Sequence, residues 1–148
     1  MTDRVIRPAE VLLVEDNPAD IRLTREAMKE GHVLNHLHVV TDGEQALRFL
    51  KREPPYENAP RPDLVLLDLN LPKKSGRDVL SEIKQDPELM NIPIVVLTTS
   101  KADEDVAETY QLRANCFITK PVDLDKFIHV VQQIETFWLS IVRLPGEA

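Results

Sequence analysis

Four short apolar runs in this chain end on, or run directly into, residues that can do chemistry. Residues 10–15 (EVLLVE) end in Glu15 and lead into Asp16. Residues 63–69 (DLVLLDL) carry Asp68, residues 94–98 (IVVLT) end in Thr98, and residues 116–119 (CFIT) lead into Lys120-Pro121. Asp68 follows Leu64-Val65-Leu66-Leu67, where a carboxylate without a partner would cost several kcal/mol or give up its charge. Lys120, behind an apolar run, is the mirror problem, and the two explain one another as an ion pair. Glu15, Asp16 and Asp68 against one lysine leave an excess of negative charge that a divalent ion would relieve, and hard oxygen donors favour Mg²⁺. With a metal and a lysine to neutralise phosphoryl oxygens, Asp68 becomes a plausible nucleophile toward a phosphoryl group, and Thr98 a hydroxyl donor to it. Plainer readings stand beside these: Asp16, next to Asn17-Pro18, could merely cap a helix, and Thr98 could be an ordinary β-branched residue at a strand end.

The elements that must position these groups follow from the pattern of hydrophobicity. The four apolar runs, rich in Val, Leu and Ile, read as strands buried on both faces. Residues 36–41 (HLHVVT) alternate polar and apolar and read as an edge strand. Between strands, Asn17-Pro18 opens a first helix with Ile21, Leu23, Ala27 and Met28 at helical spacing up to Gly31. Thr41-Asp42-Gly43 opens a second with Ala46, Leu47 and Leu50 inward, and Ser75-Gly76 a third with Val79, Leu80 and Ile83 on one face. Residues 103–112 read as a fourth helix and residues 123–142 as a long fifth. Five strand–helix units make an α/β fold with a doubly wound, five-stranded parallel sheet, and such sheets bind ligands beyond the carboxyl ends of their strands. Residues 53–62 (EPPYENAPRP), with four prolines in ten residues, have no periodicity and read as a surface loop, either a tolerated insertion or a partner contact.

Composition narrows the classes. The chain has 148 residues, 43% hydrophobic and 29% charged, enough for one compact core. Its apolar runs are too short to span a membrane and the N-terminus lacks the apolar stretch of a signal peptide, so a cytoplasmic protein is expected. One Cys permits no internal disulfide. Eighteen basic against 25 acidic residues, net −7, make nucleic acid a poor partner.

The set Glu15-Asp16, Asp68, Thr98 and Lys120-Pro121, in that order, closely resembles the receiver domain of two-component response regulators across nearly the whole chain. The resemblance implies a flavodoxin-like sheet of strand order 2-1-3-4-5 and a single receiver domain over 1–148. Its core would run from about 9 to 140, with 53–62 as a proline-rich insertion and the last helix as an extension. It further implies that Asp68 takes a phosphoryl group from a sensor histidine kinase, and that Mg²⁺ is bound by Asp16, Asp68 and the backbone carbonyl of Asn70, with Glu15 acting through water. Lys120 would pair with the phosphoryl group, and Thr98 would move toward it and let Phe117 turn inward. Phe117 stands where a Tyr is common, and reads equally as a core residue. The segments NLPKKSGRDVL, VVLTTS, RANCFITKPVDL and FWLSIVRLP resemble the narrower group of single-domain regulators paired with cyanobacterial or bacterial phytochromes, which would make the kinase a red-light sensor.

Two other functions compete. A Mg-dependent phosphatase working through the same aspartyl-phosphate, of the haloacid-dehalogenase kind, would carry an acid two residues after its nucleophile; here that residue is Asn70, a poorer proton donor. The expectation is therefore no enzyme beyond Mg-dependent self-phosphorylation and autodephosphorylation. A phosphorylation-independent scaffold is disfavoured because every ligand and the lysine are retained. With only a last helix and a short tail after the receiver, output would be by protein contact. On that helix Phe127, Val130, Val131, Ile134, Trp138 and Ile141 form the core stripe, while Phe137, Leu139, Val142 and Leu144 add apolar surface off it. Phe137, Trp138, Leu139 and Val142 are thus the candidate interface, for a homodimer or for kinase docking. His32, His36 and His38 read as surface residues, Lys73 and Lys74 as solvated loop charges, and Cys116 as a small core residue.

Overall fold

The computed structural model of the chain describes residues 8–30, 35–98 and 116–119. Its element order is β1 (Ala9–Val14), α1 (Pro18–Glu30), β2 (Asn35–Val40), α2 (Gly43–Lys51), β3 (Leu64–Asp68), α3 (Gly76–Gln85), β4 (Ile94–Thr98) and β5 (Cys116–Thr119). The strands form one parallel sheet in the order β2-β1-β3-β4-β5. All five expected strands are present, shifted at most by a residue at either end, and the expected edge strand is β2. The fourth and fifth helices expected from the sequence, at 103–112 and 123–142, lie outside the described residues.

Continuous apolar runs become strands here because both faces of the sheet are covered. Alternation splits them: Leu12, Val14, Val65, Leu67, Ile94 and Val96 pack with residues of α2 and α3, and Val11, Leu13, Leu64, Leu66, Val95 and Leu97 pack with Ala27 and Met28 of α1. On α2, Ala46, Leu47, Phe49 and Leu50 make the buried stripe. Asp42 caps that helix, its Oδ1 accepting from the Gln45 N–H at 2.8 Å, while Gln45 Oε1 accepts from the Thr41 N–H at 3.0 Å. This is a reciprocal arrangement akin to a capping box. The helix ends at Arg52, left-handed with φ 56°, as the Glu53 N–H returns to the Arg48 carbonyl at 2.9 Å, a motif more often built on glycine.

Residues 53–62 are mostly exposed, as a loop should be, yet they are not detached from the core. Tyr56 and Ala59 pack against it, and the Tyr56 ring lies 5.5 Å from that of Phe49, which lies 5.4 Å from His38. Among the described residues no helix is long and apolar enough to cross a membrane.

Candidate functional site

β1 and β3 are neighbours in the sheet, with Val14 opposite Leu67, so the residues that follow each strand emerge side by side at its carboxyl edge. Glu15, Asp16 and Asp68 meet there, each offering a carboxylate oxygen within 4.8 Å of the others. Glu15 is 1% and Asp68 5% exposed, whereas Asp16 is open to solvent. Ionised carboxylates at such separations repel by roughly 3 kcal/mol per pair at an effective dielectric of about 20.

The local backbone fixes the two buried acids. The Asn70 N–H donates to Asp68 Oδ1 at 3.0 Å, and the Asn17 N–H donates to Glu15 Oε2 at 3.2 Å. The cap of α1 is Asn17, whose Oδ1 accepts from the Ala19 and Asp20 N–H groups at 2.9 and 3.1 Å. That settles the plain alternative for Asp16: it is not the residue that caps α1. An all-oxygen donor set with two buried members and one solvated one fits a hard divalent cation, which keeps some of its own water.

The other expected site residues are placed in part. Asn70 stands two residues beyond Asp68 with its backbone bound to that carboxylate. In the register of β3 and β4, Asp68 lies opposite Leu97, so Thr98 ends β4 one residue past the level of Asp68. Thr98 is in turn opposite Thr119 and Phe117 opposite Val96. Lys120 directly follows β5 in the chain but lies outside the described residues, as do Phe137, Trp138, Leu139 and Val142.

Several residues prove to matter that the sequence left unread, or read differently. Gly76 was legible only as a helix start. A Cβ there would stand 2.3 Å from the carbonyl oxygen of Asp68, so the first turn of α3 lies directly on the end of β3, with the Gly76 N–H bonded to the Leu69 carbonyl at 3.0 Å. Lys73 and Lys74 were expected to be solvated. Lys73 is indeed exposed, although its Nζ reaches Asp42 at 3.8 Å, and the partly covered Lys74 pairs with Glu82, because the loop after β3 folds onto α2 and α3. The hydrogen bond from Lys74 holds the Glu82 carboxyl below its usual range and raises the Lys74 ammonium in turn. His36 and His38, expected as plain surface residues, both turn to Glu10 on the neighbouring strand, at 3.2 and 2.7 Å. Parallel pairing sets Glu10 opposite His36 and Leu12 opposite His38, so all three side chains leave one face of the sheet. His32 lies outside the described residues.

Comparison with known proteins agrees with this geometry. A family model described as the response regulator receiver domain matches residues 11–132. The response regulator Rcp1 of Synechocystis sp. is 50% identical over 146 residues, 99% of each chain. Among solved structures, the phosphorylated cyanobacterial phytochrome response regulator RcpA is 50% identical and superposes with a TM-score of 0.88 over 91% of this chain and 96% of its own. The Mn²⁺-bound form of Rcp1 is 52% identical, with a TM-score of 0.85 over 89% and 95%. Sheet order, acidic cluster and similarity over nearly the full length converge: the chain belongs to the response regulator receiver domain family and is related to the phytochrome response regulators.

Proposed function

We propose that this chain is the phosphoacceptor of a two-component phosphorelay: it takes a phosphoryl group from a histidine kinase, a phytochrome, onto Asp68 and passes the signal on by protein contact in the cytoplasm. The observation that carries the reading is the placement of Asp68, buried at the end of β3 with its carboxylate tethered by the Asn70 N–H and grouped with Glu15 and Asp16. Bound Mg²⁺, held by Asp16, Asp68 and the Asn70 carbonyl with Glu15 acting through water, would neutralise charge on the phosphoryl oxygens during transfer.

The chain's own part is to aim a nucleophile and keep it in place. An Asp68 carboxylate oxygen forms a bond to phosphorus as the bond to the donor histidine nitrogen breaks, and the imidazole leaves with its electron pair and is protonated. Lys120 and Thr98 meet the transferred group as cation and hydroxyl donor, and the Thr98 movement frees room for Phe117. With Asn70 two residues past the nucleophile, an amide stands where a phosphatase would carry its general acid, and the adduct outlasts a catalytic turnover. The chain is on this reading a switch, with no substrate of its own beyond self-phosphorylation and autodephosphorylation. The similarity to Rcp1 and RcpA supports a phytochrome as the kinase.

A small phosphodonor with Mg²⁺ tests the reading. Intact-mass measurement should show one added phosphoryl group on the wild type, none on Asp68→Asn, and none after chelation of the metal. Continuous phosphate release with no detectable adduct would instead favour the phosphatase.

A further inference from the structure

The loop that follows Asp68 takes its shape from α2 as well as from β3. Lys73 has φ 66°, and across it the Lys74 N–H donates to the Pro72 carbonyl at 2.8 Å, so residues 72–74 make a γ-turn of the rare, positive-φ hand. A lysine has none of the freedom that glycine has in such a conformation, so the surrounding structure must hold it there. The holding contacts come from the start of α2. Lys73 Nζ lies 3.8 Å from Asp42 Oδ2. The Asp42 side chain is itself only 8% exposed, and its other oxygen is bound to the Gln45 N–H. Beside it, a Cβ on Gly43 would stand 2.1 Å from the Lys74 carbonyl oxygen, so loop backbone rests on helix backbone with no side chain between. An ion pair whose lysine is 62% exposed contributes little to overall stability. What it can set is the course of a short loop whose two ends are already tied to β3.

We propose that Asp42, Gly43 and Lys73 form a clasp by which α2 holds the loop after β3 in the shape that presents Asn70 to the divalent-ion site, which makes them positioning residues for that site. The inference rests on the reading of Glu15, Asp16, Asp68 and Asn70 as that site. Charge supplies a test whose sign separates it from simpler effects. Lys73 is a cation on the loop that leads from the acidic cluster, so if only its field mattered, removing it would tighten cation binding. If it shapes the loop, removing it weakens binding.

Mn²⁺ affinity, read from free Mn²⁺ by electron paramagnetic resonance, should be compared in the full chain and in Lys73→Gln, Lys73→Arg, Gly43→Ala and Asp68→Asn, beside metal-free thermal unfolding of each. The clasp predicts a dissociation constant raised roughly tenfold in Lys73→Gln and Gly43→Ala, the scale on which supporting residues act on metal sites. It also predicts recovery in Lys73→Arg, and a metal-free melting midpoint for Lys73→Gln close to that of the wild type. Unchanged or tighter Mn²⁺ binding by Lys73→Gln would overturn the clasp, and the two Lys73 variants decide the matter even if Gly43→Ala fails to fold. A wild type that binds no Mn²⁺, or binds it no better than Asp68→Asn, would overturn the site reading and the clasp with it.

Discussion

A methyl group on Gly76 would collide with the carbonyl oxygen of Asp68 at 2.3 Å, and the obstacle is backbone that cannot rotate away. Gly76→Ala must therefore push α3 off the end of β3 or tilt the peptide that carries Asp68. Overpacking of this sort costs about 1–3 kcal/mol, so urea unfolding should register a loss of that size. Phosphorylation by a small donor should slow as well, because the nucleophile sits on the displaced peptide. An alanine variant with wild-type stability and labelling would show that the helix start has room to give. The same scale explains why Asp68 was readable from sequence and Gly76 was not. A carboxylate inside an apolar run is an anomaly of composition that any pass along the chain detects. A glycine that opens a helix is unremarkable until the neighbouring strand is seen against it.

Among the elements, β2 depends on a carboxylate shared between two imidazoles. An ionised carboxylate can only accept, so the nitrogens of His36 and His38 that face Glu10 must both carry protons. Burial raises the Glu10 carboxyl, but the hydrogen bonds from His38 and His36, with their charge, outweigh it and leave the group below its usual value of 4.5. A lowered folded value means that the ionised form is better bound in the folded state. The stabilisation is therefore present above pH 4.5 and lost as pH falls through the lowered value. The stability difference between wild type and Glu10→Gln should be at most about 1 kcal/mol near neutrality, since both imidazoles are partly solvated, and should vanish on acidification. A difference that grew below pH 4 in denaturant melts would refute the assignment. Alternation alone put His36 and His38 on one side of a strand; their shared partner depended on which strand lies alongside. Similarly, the proline-rich 53–62 segment looked structureless because its prolines abolish any period, while Tyr56 anchors it through a ring contact that no local pattern encodes.

For the whole molecule, the parallel sheet directs every strand's carboxyl end to one edge, so the acids that follow β1 and end β3 meet although the sequence separates them widely, and β4 runs beside β3 toward the same edge. The last expected helix carries more apolar residues than one buried face can use, with Phe137, Leu139, Val142 and Leu144 off the main stripe. If residues 123–142 form that helix, apolar residues left off its stripe would need a cover, and a homodimer is the expected one. Sedimentation velocity should show the wild type as a dimer and Phe137→Glu as a monomer with unchanged phosphorylation. Identical sedimentation of the two would remove Phe137 from the interface.

What the sequence by itself determined is whatever depends on neighbours along the chain. Periods of 2 and 3.6 mark strands and helices, Asp42 and Ser75 mark helix starts, and the apolar setting of Asp68 marks it as the acid needing a partner. The grouping of Glu15 and Asp16 with Asp68 was also expected, from the rule that parallel strands end at one edge. Only the tertiary structure decided the other distant meetings: Glu10 with two histidines, Lys73 with Asp42, and Gly43 with the carbonyl of Lys74. The physical reason is that each of these contacts crosses between segments brought together by the crossover order of the sheet, and local spacing carries no information about a neighbour that arrives from elsewhere in the chain.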